Sequence, residues 1–272
     1  MTMMLFLYSL TQPLRAETDI TASLRWQVVN DTVMGGRSTA QLEDTDDGLL
    51  FSGNVSLENN GGFASIRSQS ALPDLSKFNG LTLHTASEDD RSYQLVFWLN
   101  RMGPQLYYSL SFTPADAPET FSLYDFQALS YGRAVPAPPL PQQLDNVSAI
   151  GILIGDKQEG PFELSIQSIA LTDEAEVPAP ISTEAQQLLS AAIDTGVPLF
   201  NAGNPEACAA AYRTALSAIL ILQADALAPK QKAQIQSVLN QAQRLTDPSD
   251  QAWAYRFAID SLLAMRPIDT RR

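Results

Sequence analysis

The chain has 272 residues, of which 45% are hydrophobic and 17% charged, so it is long enough to bury one large core or two modest ones. Its 30 acidic and 17 basic residues give a net charge of −13. A surface this negative repels phosphate backbones and anionic lipid headgroups, which argues against nucleic acid or a membrane surface as the partner.

Residues 1–18 contain a short apolar run, Met3 to Leu10, that resembles a weak signal or leader sequence. No basic residue precedes the run, and Leu14 and Arg15 do not suit a cleavage site. We therefore leave the bacterial periplasm and the cytoplasm open as its location. No other stretch approaches the roughly 18 apolar residues that a membrane-spanning helix needs, so we predict no transmembrane span and expect a soluble protein.

Residues 20–172 carry short alternating runs separated by turns, the pattern of an antiparallel β-sandwich. In one strand, four apolar side chains should face one side and three others the opposite side: Tyr93, Leu95, Phe97 and Leu99 against Gln94, Val96 and Trp98. In the last strand the apolar residues move from even to odd positions after Ile166. This change of parity predicts a β-bulge near Gln167 and Ser168.

Residues 173–181 are acidic and carry two prolines, which predicts a linker. Beyond it, apolar residues recur every three or four positions, and we predict a four-helix bundle over residues 182–266. Ser182 should cap a helix that ends at about Thr195, before Gly196. The pairs Asn204–Pro205 and Asp247–Pro248 each predict a further helix start.

Two segments of the predicted sandwich resemble a known family. They are WQVVNDTVMGGRS at residues 26–38 and FSGNVSLENNGGFASIR at residues 51–67, and IGILI at 150–154 with GPFELSI at 160–166 resembles the family's closing strands. Over roughly residues 24–172 the chain is similar to the complex I intermediate-associated protein 30 family. The resemblance implies a galactose-binding-like jelly roll. It also implies a protein-holding role, because the mitochondrial members are assembly factors of the respiratory NADH dehydrogenase. The appended helical bundle departs from their pattern.

The two signature segments supply the first candidate binding residues. Their Asn, Asp and Gly residues are typical of turns, so one interpretation is that both segments are loops that only close the sandwich. The other is that they form one exposed surface, since loops on a rigid sheet often carry binding residues. On that interpretation Met34 is an apolar contact and Asp31 and Arg67 are polar contacts, with Asn30 and Asn60 beside them.

Aromatic residues supply a second set of candidates. Trp98 and Tyr107 lie opposite the main apolar stripes of their strands, so they should share one outer or concave face, and Tyr131 is a third aromatic candidate. Aromatic rings on such a face suit stacking against a sugar. The alternative is that they pack in the core or lie beneath the helical bundle.

Residue combinations for catalysis or metal binding are scarce. His84 is the sole histidine and alternates with Leu81 and Leu83, so we expect it at the surface and predict no metal site. A calcium site at the acidic runs 44–47 or 88–90 is an alternative, since hard cations bind clustered oxygens, although neither run has the spacing of an EF-hand. Cys208, the single cysteine, should be a buried structural thiol. No phosphate-loop pattern accompanies Gly35–Gly36, and we predict no cofactor.

The sequence therefore favours a non-enzymatic protein-binding module or assembly factor, with a protein client such as a respiratory-complex subunit. The alternative is a carbohydrate-binding module of an exported bacterial protein. A third hypothesis is a hydrolase that uses carboxylates, whose pairing the sequence does not reveal.

Overall fold

A computed structural model of the chain describes residues 17–100, 106–135, 137–223 and 227–264. All but the last two residues of the predicted leader, and the last two residues of the predicted bundle, lie outside these ranges. The described strands and helices are β1 (Thr18–Asp19), β2 (Trp26–Asn30), β3 (Thr39–Thr45), β4 (Gly48–Val55), β5 (Ala64–Ser68), β6 (Gly80–Ala86), β7 (Tyr93–Leu99), β8 (Leu106–Phe112), β9 (Ala115–Ser122), β10 (Gln127–Ser130), β11 (Arg133–Ala134), β12 (Val147–Ile154), β13 (Gly160–Thr172), α1 (Thr183–Asn201), α2 (Pro205–Leu222), α3 (Pro229–Ala242) and α4 (Pro248–Ala264).

The strands form two antiparallel sheets that pack face to face as a jelly-roll β-sandwich. One sheet has the order β3-β4-β13-β6-β9, with β1 also paired to β13, and the other has the order β11-β10-β8-β7-β12-β5-β2. Alternate side chains of both sheets fill a single core, in which residues such as Phe51, Phe97 and Ile152 are fully buried. The predicted fold class is confirmed.

The period-two prediction for strand β7 also holds. Tyr93, Leu95 and Phe97 are buried in the core, and Trp98 lies on the opposite face. Strand β13 pairs with β6 through a register shift between Ile166 and Ser168. The bulge predicted from the change of parity is therefore present, and it lets both halves of β13 bury their apolar residues.

The four helices α1 to α4 form a second, separate core. Three predicted caps are present: the side chains of Ser182, Asn204 and Asp247 accept hydrogen bonds from backbone amides at 3.1, 3.1 and 2.7 Å. The predicted helix end at Thr195 is wrong, because α1 continues through Gly196 to Asn201. A Cβ at Gly196 would lie 2.4 Å from the ring of Tyr212 in α2, so this glycine permits close helix packing.

The segment between the sandwich and the helices contains neither helix nor strand, yet it is attached at both of its ends. The Asn79 side chain donates to the carbonyl of Asp173 at 2.8 Å and accepts from the amide of Ala175 at 2.9 Å. At the other end, Gln231 of α3 donates to the carbonyl of Ala179 at 2.6 Å. None of the helices in the described ranges combines the length and apolar character that crossing a membrane requires.

Candidate functional site

The Asp31 carboxylate joins the two signature loops. Asp31 follows β2, and its oxygens accept hydrogen bonds from the Ser38 amide at 2.9 Å and the Ser38 hydroxyl at 2.5 Å. They also accept from the amides of Gly62 at 2.6 Å and Phe63 at 3.3 Å, which precede β5. The residue is only 1% exposed. The interpretation of Asp31 as an exposed polar contact is thus corrected: it is an internal bridge between the loops.

The electrostatics of this bridge favour the ionised form. Burial raises the pKa of the Asp31 carboxyl. The hydrogen bonds from the Ser38 side chain and from the backbone amides lower the pKa, and together they outweigh the effect of burial. The net result is a pKa below the ordinary value of 3.8. A carboxylate that accepts several amide hydrogen bonds is held in its charged state, so the bridge is intact at neutral pH.

Two glycines make room for the carboxylate. A Cβ at Gly36 would lie 2.3 Å from the Asp31 Cγ, and one at Gly61 would lie 2.5 Å from Oδ2. Any side chain at either position would displace the carboxylate. The glycines that resemble turn residues in the sequence are therefore required by the close approach of Asp31 rather than by a positive φ, since neither has one.

The bridged loops present apolar side chains to solvent. Val33 and Met34 form the tip of a 3-10 turn and are each 74% exposed. Further contacts link the two loops: Asn59 donates to the Gly35 carbonyl at 3.1 Å, and Arg37 pairs with Glu58 at 3.1 Å. Met34 is thus exposed as predicted, and Val33, which our sequence reasoning missed, is equally exposed beside it.

The two predicted asparagines differ in their surroundings. Asn60 is exposed and has a φ of 59°, in the left-handed region that asparagine tolerates better than most residues. Asn30 is only partly exposed, and its side-chain oxygen is buried with no hydrogen-bond partner among the described residues. Asn60 therefore belongs to the solvent-facing part of the loops, and Asn30 lies at their base.

Arg67 lies on the outer face of the seven-stranded sheet rather than in the signature loops. Its guanidinium carbon is 4.2 Å from the ring centroid of Trp98, a cation–π contact. Arg67 is on β5 and Trp98 on β7, with β12 between them. The β12 residues opposite these two are Gly151 and Ala149, whose small size lets the arginine cross the strand.

Trp98 and Tyr107 are directly opposite one another in the pairing of β7 with β8, so the prediction that they share a face is confirmed. The Tyr107 hydroxyl accepts a hydrogen bond from the Gly132 amide at 3.1 Å, and burial raises its pKa. On the same face, Gln94 accepts from Ser109 at 2.9 Å and donates to Asp156 at 2.7 Å. The face therefore combines two aromatic rings, one guanidinium, neutral polar groups and, at the Gln94 side chain, the Asp156 carboxylate.

The predicted residues thus fall into two groups. Met34 and Asn60 are solvent-facing on the bridged loops, and Arg67 joins Trp98 and Tyr107 on the sheet face. Strand β5 connects the groups, because Ala64 at its start pairs with Asn30 and Arg67 is three residues further along. At about 3.3 Å per residue, Ala64 and Arg67 are about 10 Å apart along the strand.

The remaining candidates lie elsewhere. His84 is partly exposed on β6, away from the core as predicted, and Cys208 is buried in the helical core. Burial raises the pKa of the Cys208 thiol, although Tyr212 and Arg256 counteract this. Within the described ranges, no group of three or more His, Cys, Asp or Glu side chains is arranged to hold a metal ion. Tyr131 is 76% exposed in the turn between β10 and β11.

The architecture defines the class of this protein: a jelly-roll β-sandwich with a C-terminal helical bundle. Its residues 15–166, more than half of the chain, match the model of one family. The chain belongs to the complex I intermediate-associated protein 30 family. The family resemblance read from the two signature segments is thereby confirmed. No curated protein sequence matches the chain significantly.

Several solved structures resemble the sandwich. The family 11 carbohydrate-binding module of the cellulosomal cellulase Lic26A-Cel5E of Clostridium thermocellum is 14% identical, covers 60% of this chain and 97% of its own, and has a TM-score of 0.43. A family 11 carbohydrate-binding module from Clostridium thermocellum in complex with a β-1,3-1,4-mixed-linked tetrasaccharide is 15% identical, covers 59% of this chain and 97% of its own, and has a TM-score of 0.42. An exo-β-agarase is 12% identical, covers 66% of this chain and 30% of its own, and has a TM-score of 0.33.

Proposed function

We propose that this chain is a non-enzymatic protein-binding module that holds a client protein, in the manner of an assembly factor. The observation that carries the proposal is the pair Val33 and Met34, each 74% exposed on loops that Asp31 bridges. Membership of the complex I intermediate-associated protein 30 family supports it and makes a respiratory-complex subunit the first client to test.

Pre-organisation is the physical reason why this surface suits binding. The hydrogen bonds of Asp31, the Asn59–Gly35 contact and the Arg37–Glu58 ion pair fix the loop before any partner arrives. A partner that covers Val33 and Met34 therefore removes apolar surface from water without a large loss of loop entropy. Full burial of such a side chain is worth about 1.5–3 kcal/mol, and because Val33 and Met34 are each 74% exposed in the free protein, covering both contributes about 2–4 kcal/mol.

The test is client capture with a matched control. A photo-crosslinking residue placed at Asn60 traps the client, and mass spectrometry identifies both the protein and the crosslinked position. The purified client is then titrated against wild type and against the double variant Val33→Ser/Met34→Ser. The control is Ile221→Ser/Leu222→Ser, which removes an equally exposed apolar pair, at 77% and 74%, from helix α2.

We expect the loop variant to weaken client binding by about 30- to 700-fold, the equivalent of 2–4 kcal/mol, and the helix variant to leave it unchanged. Circular dichroism and thermal unfolding should be the same for all three proteins, because the substituted side chains are exposed. Equal affinity of wild type and loop variant for the crosslinked client would refute the proposed surface.

Carbohydrate binding is the second candidate. The adjacency of Trp98 and Tyr107 on the outer sheet face favours it, because aromatic rings stack against sugar rings. Against it, Arg67 already covers one face of the Trp98 ring. Titration with a panel of soluble glycans separates the candidates: saturable sugar binding that Trp98→Ala abolishes would place carbohydrate ahead of a protein client.

A further inference from the structure

We propose that the outer face of the seven-stranded sheet binds a single carboxylate group of the client protein, with Arg67 as the residue that receives it. This inference rests on the proposed protein-binding function and adds a second, charge-specific contact to it. Arg67 is the centre of the proposed site because its charge is partly buried and, apart from the Trp98 ring, is not balanced by an acidic group among the described residues. Among the described residues no carboxylate lies within ion-pair distance of it, and only its Nε has a hydrogen-bond partner, the Ser65 hydroxyl at 3.4 Å.

An unpaired guanidinium on a sheet face is costly. Burial lowers the pKa of Arg67 from its ordinary value, which means that the charged form has lost hydration. Elsewhere in the described chain, the partly buried Arg91 and Arg256 each pair with an acidic side chain, Asp89 at 3.6 Å and Asp260 at 2.9 Å. Arg67 is the contrasting case, and an external carboxylate would supply the missing partner.

The surroundings orient Arg67 for this task. The guanidinium carbon lies over the Trp98 ring, 4.2 Å from its centroid, and Nε donates to the Ser65 hydroxyl. Nη1 and Nη2 are the donors that remain, and a guanidinium with two free N–H groups matches the two oxygens of a carboxylate. Gly151, the β12 residue paired with Arg67, carries no side chain that could compete for this position.

Two observations favour an isolated carboxylate on a protein over an acidic polysaccharide. The net charge of −13 repels a polymer that carries a charge on every sugar, and Asp156 adds negative charge to the same face through its bond to Gln94. The cation–π contact also covers one face of Trp98. A single Asp or Glu in an otherwise neutral or basic segment avoids both problems.

The position of Arg67 allows one client to make both contacts. The start of β5 pairs with Asn30 at the base of the bridged loops, and Arg67 lies three residues further along the strand. The separation of about 10 Å is the length of three extended residues. A client segment of about three extended residues therefore spans the distance from the base of the bridged loops to Arg67.

The experiment is an NMR titration of the full ¹⁵N-labelled chain with matched pairs of small probes. N-acetyl-glutamate α-amide carries one carboxylate and N-acetyl-glutamine α-amide carries none; glucuronate and glucose form the second pair. The signals observed are the indole N–H of Trp98, one of three tryptophans and assigned with Trp98→Phe, and the Nε–H of Arg67. Arg67→Gln removes the guanidinium, and Arg244→Gln makes the same charge change at an exposed position in the helical part.

We expect saturable shifts of both signals with the glutamate probe only. Arg67→Gln should weaken that binding at least tenfold. Arg67→Lys should weaken it severalfold, because lysine keeps the charge but lacks the two parallel N–H donors of the guanidinium. Arg244→Gln should leave the binding unchanged. Equal shifts with both amino-acid probes, absence of saturable shifts, or undiminished binding to Arg67→Gln would each overturn the site. Tighter binding of glucuronate than of the glutamate probe would overturn its assignment to a protein ligand.

The client titration distinguishes failure of this inference from failure of the proposed function. If Val33→Ser/Met34→Ser loses the client and Arg67→Gln retains it in full, the protein-binding function stands and the carboxylate site falls. If neither variant weakens client binding, the protein-binding surface itself is refuted.

Discussion

Replacing Asp31 by asparagine tests whether the carboxylate bridge holds the signature loops. The substitution preserves size but leaves one acceptor oxygen where there were two. In wild type, Oδ1 accepts from the Ser38 amide, and Oδ2 accepts from the Ser38 hydroxyl and from the amides of Gly62 and Phe63. The amide nitrogen of asparagine should take the place of Oδ1, which accepts one hydrogen bond, rather than that of Oδ2, which accepts three. In this orientation only the Ser38 N–H faces another donor.

The expected loss of stability follows from these contacts. A buried N–H of Ser38 without an acceptor costs about 1–3 kcal/mol, and the bonds that remain change from charge-assisted to neutral, which weakens each by about 1 kcal/mol. Because neighbouring contributions are not additive, we expect Asp31→Asn to lower the free energy of unfolding of the sandwich by about 3–5 kcal/mol. This is a large part of the roughly 5–15 kcal/mol of a typical domain.

The assay is urea unfolding at pH 7, followed by tryptophan fluorescence in a Trp253→Phe background. That background leaves Trp26 and Trp98, both in the sandwich, as reporters. With a urea slope of about 2 kcal/mol per molar, the midpoint should fall by about 1.5–2.5 M. Asp47→Asn, which makes the same charge change in an exposed turn, should leave the midpoint unchanged. A difference below about 1 kcal/mol between Asp31→Asn and wild type would refute the bridge.

Three other outcomes are expected. Because the pKa of Asp31 is lower in the folded chain, its contribution is fully present above its ordinary value of 3.8 and is lost as the pH falls through the lowered value. The stability gap between wild type and Asp31→Asn should therefore be constant from about pH 5 to 8 and narrow as the pH falls below 3.8, and a gap that does not narrow there contradicts this. Gly36→Ala places a Cβ 2.3 Å from Asp31 Cγ and should lower the free energy of unfolding, measured in urea, by about 3 kcal/mol. The control Gly35→Ala has open space around the new Cβ but a φ of 89°, so it should lower the same quantity by about 1–2 kcal/mol. Cys208, buried and with a raised pKa, should react with a thiol reagent only as fast as the helical core opens, so immediate labelling of the native chain would contradict its burial.

Features set by local alternation could be predicted from the sequence. The shared face of Trp98 and Tyr107 and the bulge before Ser168 follow from side chains that alternate every second residue, which depends only on the chain itself. The helix starts at Pro205 and Pro248 follow in the same way from local capping chemistry.

Features set by distant neighbours could not be predicted in this way. The stacking of Arg67 on Trp98 depends on β12 lying between β5 and β7, an order that no local pattern encodes. Asp31 has the composition of a surface turn, and it is buried only because the loop before β5 folds over it. Gly196 resembles a helix end in the sequence for a similar reason. The Tyr212 ring that requires a glycine at this position belongs to the next helix, so no local pattern reveals the contact.

Gly151 links the architecture of the sheet to the arginine–tryptophan pair. A Cβ at this position would lie 1.9 Å from the carbonyl oxygen of Ile66, so any other residue forces β5 and β12 apart. The pairing of β5 with β12 therefore itself requires the glycine over which the Arg67 side chain passes. In a library of variants selected only for solubility, position 151 should remain glycine while positions 67 and 98 drift. A lineage that no longer bound the ligand would thus lose the arginine or the ring and still keep the glycine between their strands.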